Sequence, residues 1–232
     1  GLGDVYKRQV SPHMNRLQRV TLDVLKTWHE LLEDPTTPVV ESRMVYTVNQ
    51  SVASVLEKVA SSPRVGRLGL KFSRGWDESI DRKKGRFDVE WGAPASWDDV
   101  ILQGPHFFVG NPFAKAPNES MKSNKDWSPV DLETLPADAI PVTSYKPAGD
   151  RKVYDASYTH WGESRTPARD HYRIAWRAMA APTGERTLIP AIIPPGTAHI
   201  HGVNSTGNAS ISAKDLSVVA GVMSSLISDL IV

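Results

Sequence analysis

His199 and His201 are one residue apart, a spacing that sets two imidazoles on the same face of a strand and can hold a metal ion. No third ligand follows nearby, and a histidine pair on the wet face of a strand also serves a purely structural end. The segment 154–169 carries Tyr154, Tyr158, His160, Trp161, Arg165 and Arg169. Aromatic rings interleaved with guanidinium groups suit stacking on an extruded base or packing on a sugar-phosphate backbone, and a plain packed loop uses the same residues. There is no Gly-x-Ser-x-Gly elbow to raise a serine nucleophile and no phosphate-cradling glycine loop ending in Gly-Lys. The chain has 0 cysteines, which removes disulfides, thiolate zinc sites and cysteine nucleophiles together and fits a cytoplasmic protein.

Charge is distributed unevenly. The net charge of the 232 residues is only +1, yet 64–86 holds eight basic residues against three acidic ones, and 151–186 seven against four. The acidic excess lies elsewhere, notably in 126–138. Such asymmetry permits one positive face on a neutral body, although a charge run is also simply a solvated surface. Hydrophobic residues at 40% and charged residues at 23% are ordinary for a globular chain. No apolar run approaches 18 residues, so no membrane-spanning helix is expected.

The elements that must position these groups follow from periodicity. Residues 1–9 do not join the later pattern and read as a translated adapter artefact. Ser11-Pro12 starts a helix whose apolar positions (Met14, Leu17, Val20, Val24, Leu25, Trp28, Leu31, Leu32) recur at three and four, until Asp34-Pro35 stops it. A second helix is expected over Val48 to Ala60. Leu68, Leu70 and Phe72 then alternate with Arg67, Gly69 and Lys71, and Phe87, Val89 and Trp91 with Asp88 and Glu90. The spacing predicts a long hairpin whose tip bears Arg82, Lys83, Lys84 and Arg86. Two short strands are expected over 99–109, then a long ordered loop over 111–147 with one helical turn near Val130 to Leu135.

The stretch from His171 to Pro195 is the expected centre. Tyr172, Ile174 and Trp176 point one way, and His171, Arg173 and Arg177 the other, which gives a half-buried strand with guanidinium groups on its open face. A turn at Ala181-Pro182-Thr183-Gly184 leads into Leu188 to Ile193, a strand covered on both faces, with Glu185 and Arg186 at the rim. From Ala213 an amphipathic helix begins at a capping box of Ser212 and Asp215. The expectation is an α+β fold: a mixed, largely antiparallel sheet with an N-terminal helical segment (10–62) and a C-terminal amphipathic helix, the principal domain spanning 63–232. Both ends of the chain look cut, as in a fragment of a longer protein.

Three segments in order carry a resemblance: Trp97 to Phe107 (WDDVILQGPHF), Tyr172 to Gly196 (YRIAWR, then PTGERTLI, then AIIPPG) and Val218 to Leu226 (VVAGVMSSL). Together they resemble the C-terminal target recognition region of adenine-specific DNA methyltransferases of the type IIG restriction–modification kind, over roughly 40–232. The resemblance implies a bacterial, phage-defence setting, with double-stranded DNA and a covalently linked methyltransferase core as partners. That core would hold S-adenosylmethionine; no cofactor or metal is expected in this segment, and no catalytic residue. Gly110-Asn111-Pro112-Phe113 is similar to the family's Asn-Pro-Pro-Tyr/Phe catalytic loop but lacks its middle proline, and no glycine-rich cofactor turn precedes it. DNA contacts are expected at Arg74, Arg82, Lys83, Lys84, Arg86, Lys122, Asn124, Lys125, Arg165, Arg169, Arg173 and Arg186, with Arg82, Lys83, Lys84 and Arg86 as phosphate anchors, base readers among Asn124, Arg165, Arg169 and Arg173, and Lys115 nearby. The alternatives are a metal-dependent hydrolase or cupin-like enzyme using His199 and His201, and a protein-interaction module docking through 213–232. If Lys83 and Lys84 are phosphate anchors, changing both to Ala weakens binding to every duplex about equally and flattens the salt dependence; a salt titration of affinity checks this.

Overall fold

The computed structural model describes residues 19–44, 51, 54, 55, 58, 59, 62–180 and 184–231. The chain divides into two compact units, 1–64 and 65–232. In the first, helix α1 (Leu22–Leu32) is capped by Thr21, whose hydroxyl accepts the Val24 N–H, and buries Trp28. Arg43 returns to its end, with Nε 2.8 Å from Glu33 Oε1. The expected positions Met14 and Leu17 lie outside the described residues, as does most of the second expected helix; its described residues 51, 54, 55, 58 and 59 are helical.

The second unit is α+β, with largely antiparallel sheets and short C-terminal helices. Its strands are β1 (Lys71–Ser73), β2 (Phe87–Gly92), β3 (Ile101–Leu102), β4 (Lys115–Pro117), β5 (Trp127–Pro129), β6 (Thr143–Pro147), β7 (His160–Trp161), β8 (Thr166–Pro167), β9 (Arg173–Arg177), β10 (Pro190–Ile193), β11 (Ala198–His199) and β12 (Val203–Gly207). Its α-helices are α2 (Arg151–Ser157), α3 (Ala213–Met223) and α4 (Leu226–Ile231). The main sheet has four strands in the order β1-β12-β9-β10, all antiparallel. Among the described residues no helix is long and apolar enough to cross a membrane.

Strand β9 is buried on both sides, which corrects the expected half-open strand. Ile174 meets Leu216, Val219 and Ala220 of α3 on one face, while Ala175 joins Val100, Leu102, Phe107, Ala191, Ile193 and Val203 on the other. Each Val, Leu, Ile or Phe among them contributes about 1.5–3 kcal/mol by leaving water. Helix α3 begins as expected: the Ser212 hydroxyl accepts the Asp215 N–H at 3.1 Å and donates to its carboxylate at 2.7 Å. Strands β9 and β10 pair antiparallel, Ile174 against Ile192, across a connection far longer than a tight turn. The expected turn at Ala181-Pro182-Thr183 lies outside the described residues.

The long hairpin is not formed. Strand β1 pairs with β12, and β2 pairs with β6, so the basic segment 77–86 is a closed turn between strands of different sheets. Likewise 111–147 contains β4, β5 and β6 rather than a continuous loop, and no helical turn forms at 130–135. A third apolar cluster gathers Trp76, Phe87, Ile101, Tyr154, Tyr158, Trp161 and Ile200. Trp76 Nε1 donates to Tyr154 Oη at 2.9 Å, and its ring stands edge-on to Tyr158 at 5.0 Å. The backbone of Trp76 docks beside β11: Trp76 N–H donates to His199 O at 2.8 Å and His201 N–H to Trp76 O at 2.7 Å.

That docking requires Gly75. Its φ is +70°, and a Cβ there would lie 2.1 Å from His199 O. Gly75→Ala is expected to push the strand away from Trp76 and destabilise the unit by about 2 kcal/mol or more, read as a lowered urea midpoint.

Candidate nucleic-acid interface

A cleft of about 710 Å³ opens where segment 77–86, the loop between β4 and β5, and the end of β9 converge. The first wall is folded by Asp77. Its Oδ1 accepts from Ser79 N–H at 2.9 Å, Ser79 Oγ at 2.7 Å and Ile80 N–H at 2.9 Å. Those bonds hold its carboxyl below the usual range. The turn closes with Lys84 N–H on Ile80 O and Arg86 N–H on Asp81 O. Arg82 faces the cleft, Lys83 and Lys84 are exposed, and Arg86 is half-buried with its Nε unpaired among the described residues.

The opposite wall is the loop 118–126, wrapped around the Asp126 carboxylate. Asn118 Nδ2 donates to Oδ1 at 2.7 Å, and Ser120 Oγ and Lys122 N–H donate to Oδ2 at 2.5 and 2.9 Å. These donors pull the Asp126 carboxyl down to about 2. Strands β4 and β5 pair beneath as its stem, and Lys122 and Asn124 line the cleft while Lys125 is exposed. The floor carries Trp127, edge-on to the buried His106 ring at 4.8 Å, and Gln103, whose Oε1 accepts from Ser144 Oγ at 2.6 Å. Arg177 completes it. Its Nη2 donates to Phe107 O at 2.6 Å, its Nε is unpaired, and no carboxylate among the described residues is within ion-pairing distance. Partial burial lowers its affinity for a proton, the expense of a cation left without a counter-ion.

Three cations (Arg82, Lys122, Arg177) and two carboxylates (Glu78, Asp126) thus line the cleft. Both carboxylates are engaged within the protein, since Glu78 accepts from the Tyr145 phenol. Burial, then that bond, keeps the phenol protonated well above its ordinary value.

The sequence-expected contacts divide into groups. Arg82, Lys122 and Asn124 meet at the cleft. Lys115 and Arg165 are exposed, and Arg74 is exposed and paired with Asp77 at 3.1 Å. Arg169 and Arg173, expected as base readers, are 3% and 0% exposed and cannot reach a duplex as placed. Arg169 Nε pairs with Asp155 at 2.8 Å; Arg173 donates to Thr197 O, Tyr158 Oη and Ser205 Oγ. Arg186 holds α4, donating to Ser224 O and lying 3.6 Å from Asp229. Tyr154, Tyr158 and Trp161 are core residues, so no exposed aromatic stack forms there.

His199 and His201 do not make a shared metal face. His199 is buried with Nε2 at 2.8 Å from Ser205 Oγ and Nδ1 at 3.1 Å from Ile200 O, whereas His201 lies exposed in the following turn. No group of three or more potential ligands is present among the described residues. Asn111 Oδ1 accepts Phe113 N–H at 2.9 Å, which turns its amide back onto its own loop. Sequence reasoning missed Gln103, Trp127 and Arg177 as cleft residues. Arg177 was readable only as the β9 position in phase with Arg173 at the strand's far end.

Compared with known proteins, the chain matches no family model and no curated sequence.

Both buried histidines are neutral. His106 Nδ1 accepts Gln103 N–H at 2.9 Å, so Nε2 carries the hydrogen and donates to Val142 O at 2.9 Å. Burial lowers His106 from 6.5 to about 4; burial and then the Arg173 charge lower His199 to about 3. The unfolded chain therefore binds protons that the folded one refuses, so stability is full above about 6.5 and falls as pH drops toward 4. The urea midpoint is expected to fall between pH 7.5 and 4.5, and His106→Gln to lessen that slope. Asp126 stays ionised throughout this window.

Proposed function

We propose that the chain is a DNA target recognition domain of an adenine-specific, S-adenosylmethionine-dependent DNA methyltransferase, within a restriction–modification or phage-defence enzyme. The observation that carries it is the cleft, where Arg82 and Lys122 from separate loops meet Arg177, which has no carboxylate partner among the described residues. A phosphodiester is the ligand such a set favours: anionic, and able to accept from a guanidinium fork. The ordered resemblance of three segments supplies the family. In this reading Arg82, Lys122 and Arg177 anchor the phosphate backbone, with exposed Lys83, Lys84 and Lys125 adding long-range attraction. Asn124 and the cleft floor face the base edges.

Asn111 does not offer its carbonyl to a target amino group, because its Oδ1 accepts Phe113 N–H. The donor and the transfer belong to the linked core, while this domain holds and orients the duplex.

A second reading, protein docking, is favoured by exposed Val218, Val222, Leu226 and Ile227 on α3 and α4. The two are separated by titrating a mixed-sequence duplex into the full chain at low salt. Arg82→Ala, Lys122→Ala and Arg177→Ala are each expected to weaken binding several-fold, and the triple variant to reduce the salt slope by about 3. No binding by the unaltered chain at low salt, or affinities untouched by the three changes, removes the DNA reading.

A further inference from the structure

Gln103 sits between β3 and the turn Gly104–His106, and its backbone is fixed on both sides. Its N–H donates to His106 Nδ1 at 2.9 Å, and its C=O accepts the His106 N–H at 3.1 Å. His106 is itself wholly buried and held from β6's side by Val142 O. The Gln103 side chain is fixed as well, by Ser144 of β6, which is 9% exposed. Their separation of 2.6 Å is ordinary for O–H···O and short for N–H···O, so the oxygen of the amide is the atom at Ser144. The Nε2 hydrogens then have no protein acceptor among the described residues.

A primary amide so held presents a donor and an acceptor side by side in a cleft flanked by cations. Adenine offers the complement on its major-groove edge, an N7 acceptor beside the N6 amino donor. Guanine offers two acceptors there, one of which would face Oε1; cytosine offers only a donor and thymine only an acceptor. Asn124, across the cleft, carries the same group on an exposed loop, with no comparable side-chain clamp among the described residues. Pre-organisation favours the clamped amide, which loses less freedom on binding.

We infer that Gln103 is a specificity-determining residue, reading one adenine of the target by a paired hydrogen bond; this rests on the DNA reading above. The test is selection from a pool of randomised duplexes by the full chain and by its Gln103→Ala, Gln103→Glu and Ser144→Ala variants. The unaltered chain is expected to favour adenine roughly tenfold or more at one position. Gln103→Ala abolishes the preference at that position alone, with the other positions and the salt dependence kept. Gln103→Glu, acceptor only, moves it toward cytosine, and Ser144→Ala weakens it without changing the base. A selective parent whose preferences survive Gln103→Ala unchanged overturns the inference while leaving the DNA reading standing. So does a Gln103→Ala variant that loses all duplexes equally. A parent that retains no duplex overturns the DNA reading itself.

Discussion

A guanidinium group sealed inside the second unit organises much of what surrounds it. Arg173 is 0% exposed and has no carboxylate within ion-pairing distance among the described residues. Its donors are met by neutral oxygens from three directions: Thr197 O ahead of β11, Tyr158 Oη beyond α2, and Ser205 Oγ on β12. Burying a cation this way is expensive, and desolvation lowers its proton affinity. The arrangement persists because a planar fork offers five donors in fixed directions, against three clustered on a lysine ammonium and none on an aliphatic chain. Its charge also acts on His199, which shares Ser205 with it and is kept neutral by burial and then by that cation.

The same network fixes the frame of the cleft. Thr197 leads directly into β11, which pairs in parallel with β3, Ala198 against Ile101 and His199 against Leu102. Strand β3 delivers Gln103 to the cleft floor, while β9, pinned at its first residue by Arg173, delivers Arg177 at its last. Two arginines in one phase of one strand therefore do opposite work. One is enclosed by α2, β11 and β12 neighbours, and the other reaches the open end where Phe107 O receives it.

Local rules made part of this legible. The α3 cap at Ser212 and Asp215, the existence of a strand at Phe87 to Gly92 and the buried run at Leu188 to Ile193 each follow from neighbours within a few residues. Val89 and Trp91, however, are exposed and do not share the burial of Phe87 that alternation assigns them. The failures share a cause. Alternation assigns Arg173 to a face but cannot say what covers that face; here it is Tyr158 and Ser205, distant in sequence. The Lys71–Ser73 strand looked like half of a hairpin with Phe87 because they are close in the chain, yet its partner is Val203–Gly207. The cleft was half legible: its basic tips announce themselves by charge, whereas Gln103 becomes notable only when Ser144 of another strand is seen to grip it.

The loop around Asp126 separates framework from display. Its latch uses the side chains of Asn118 and Ser120 and only the backbone of Lys122. The side chains of Lys122, Asn124 and Lys125 make none of those hydrogen bonds. Such a loop behaves like a type slug in a press: the lettering can be recut by drift or selection while the shank that seats it is untouched.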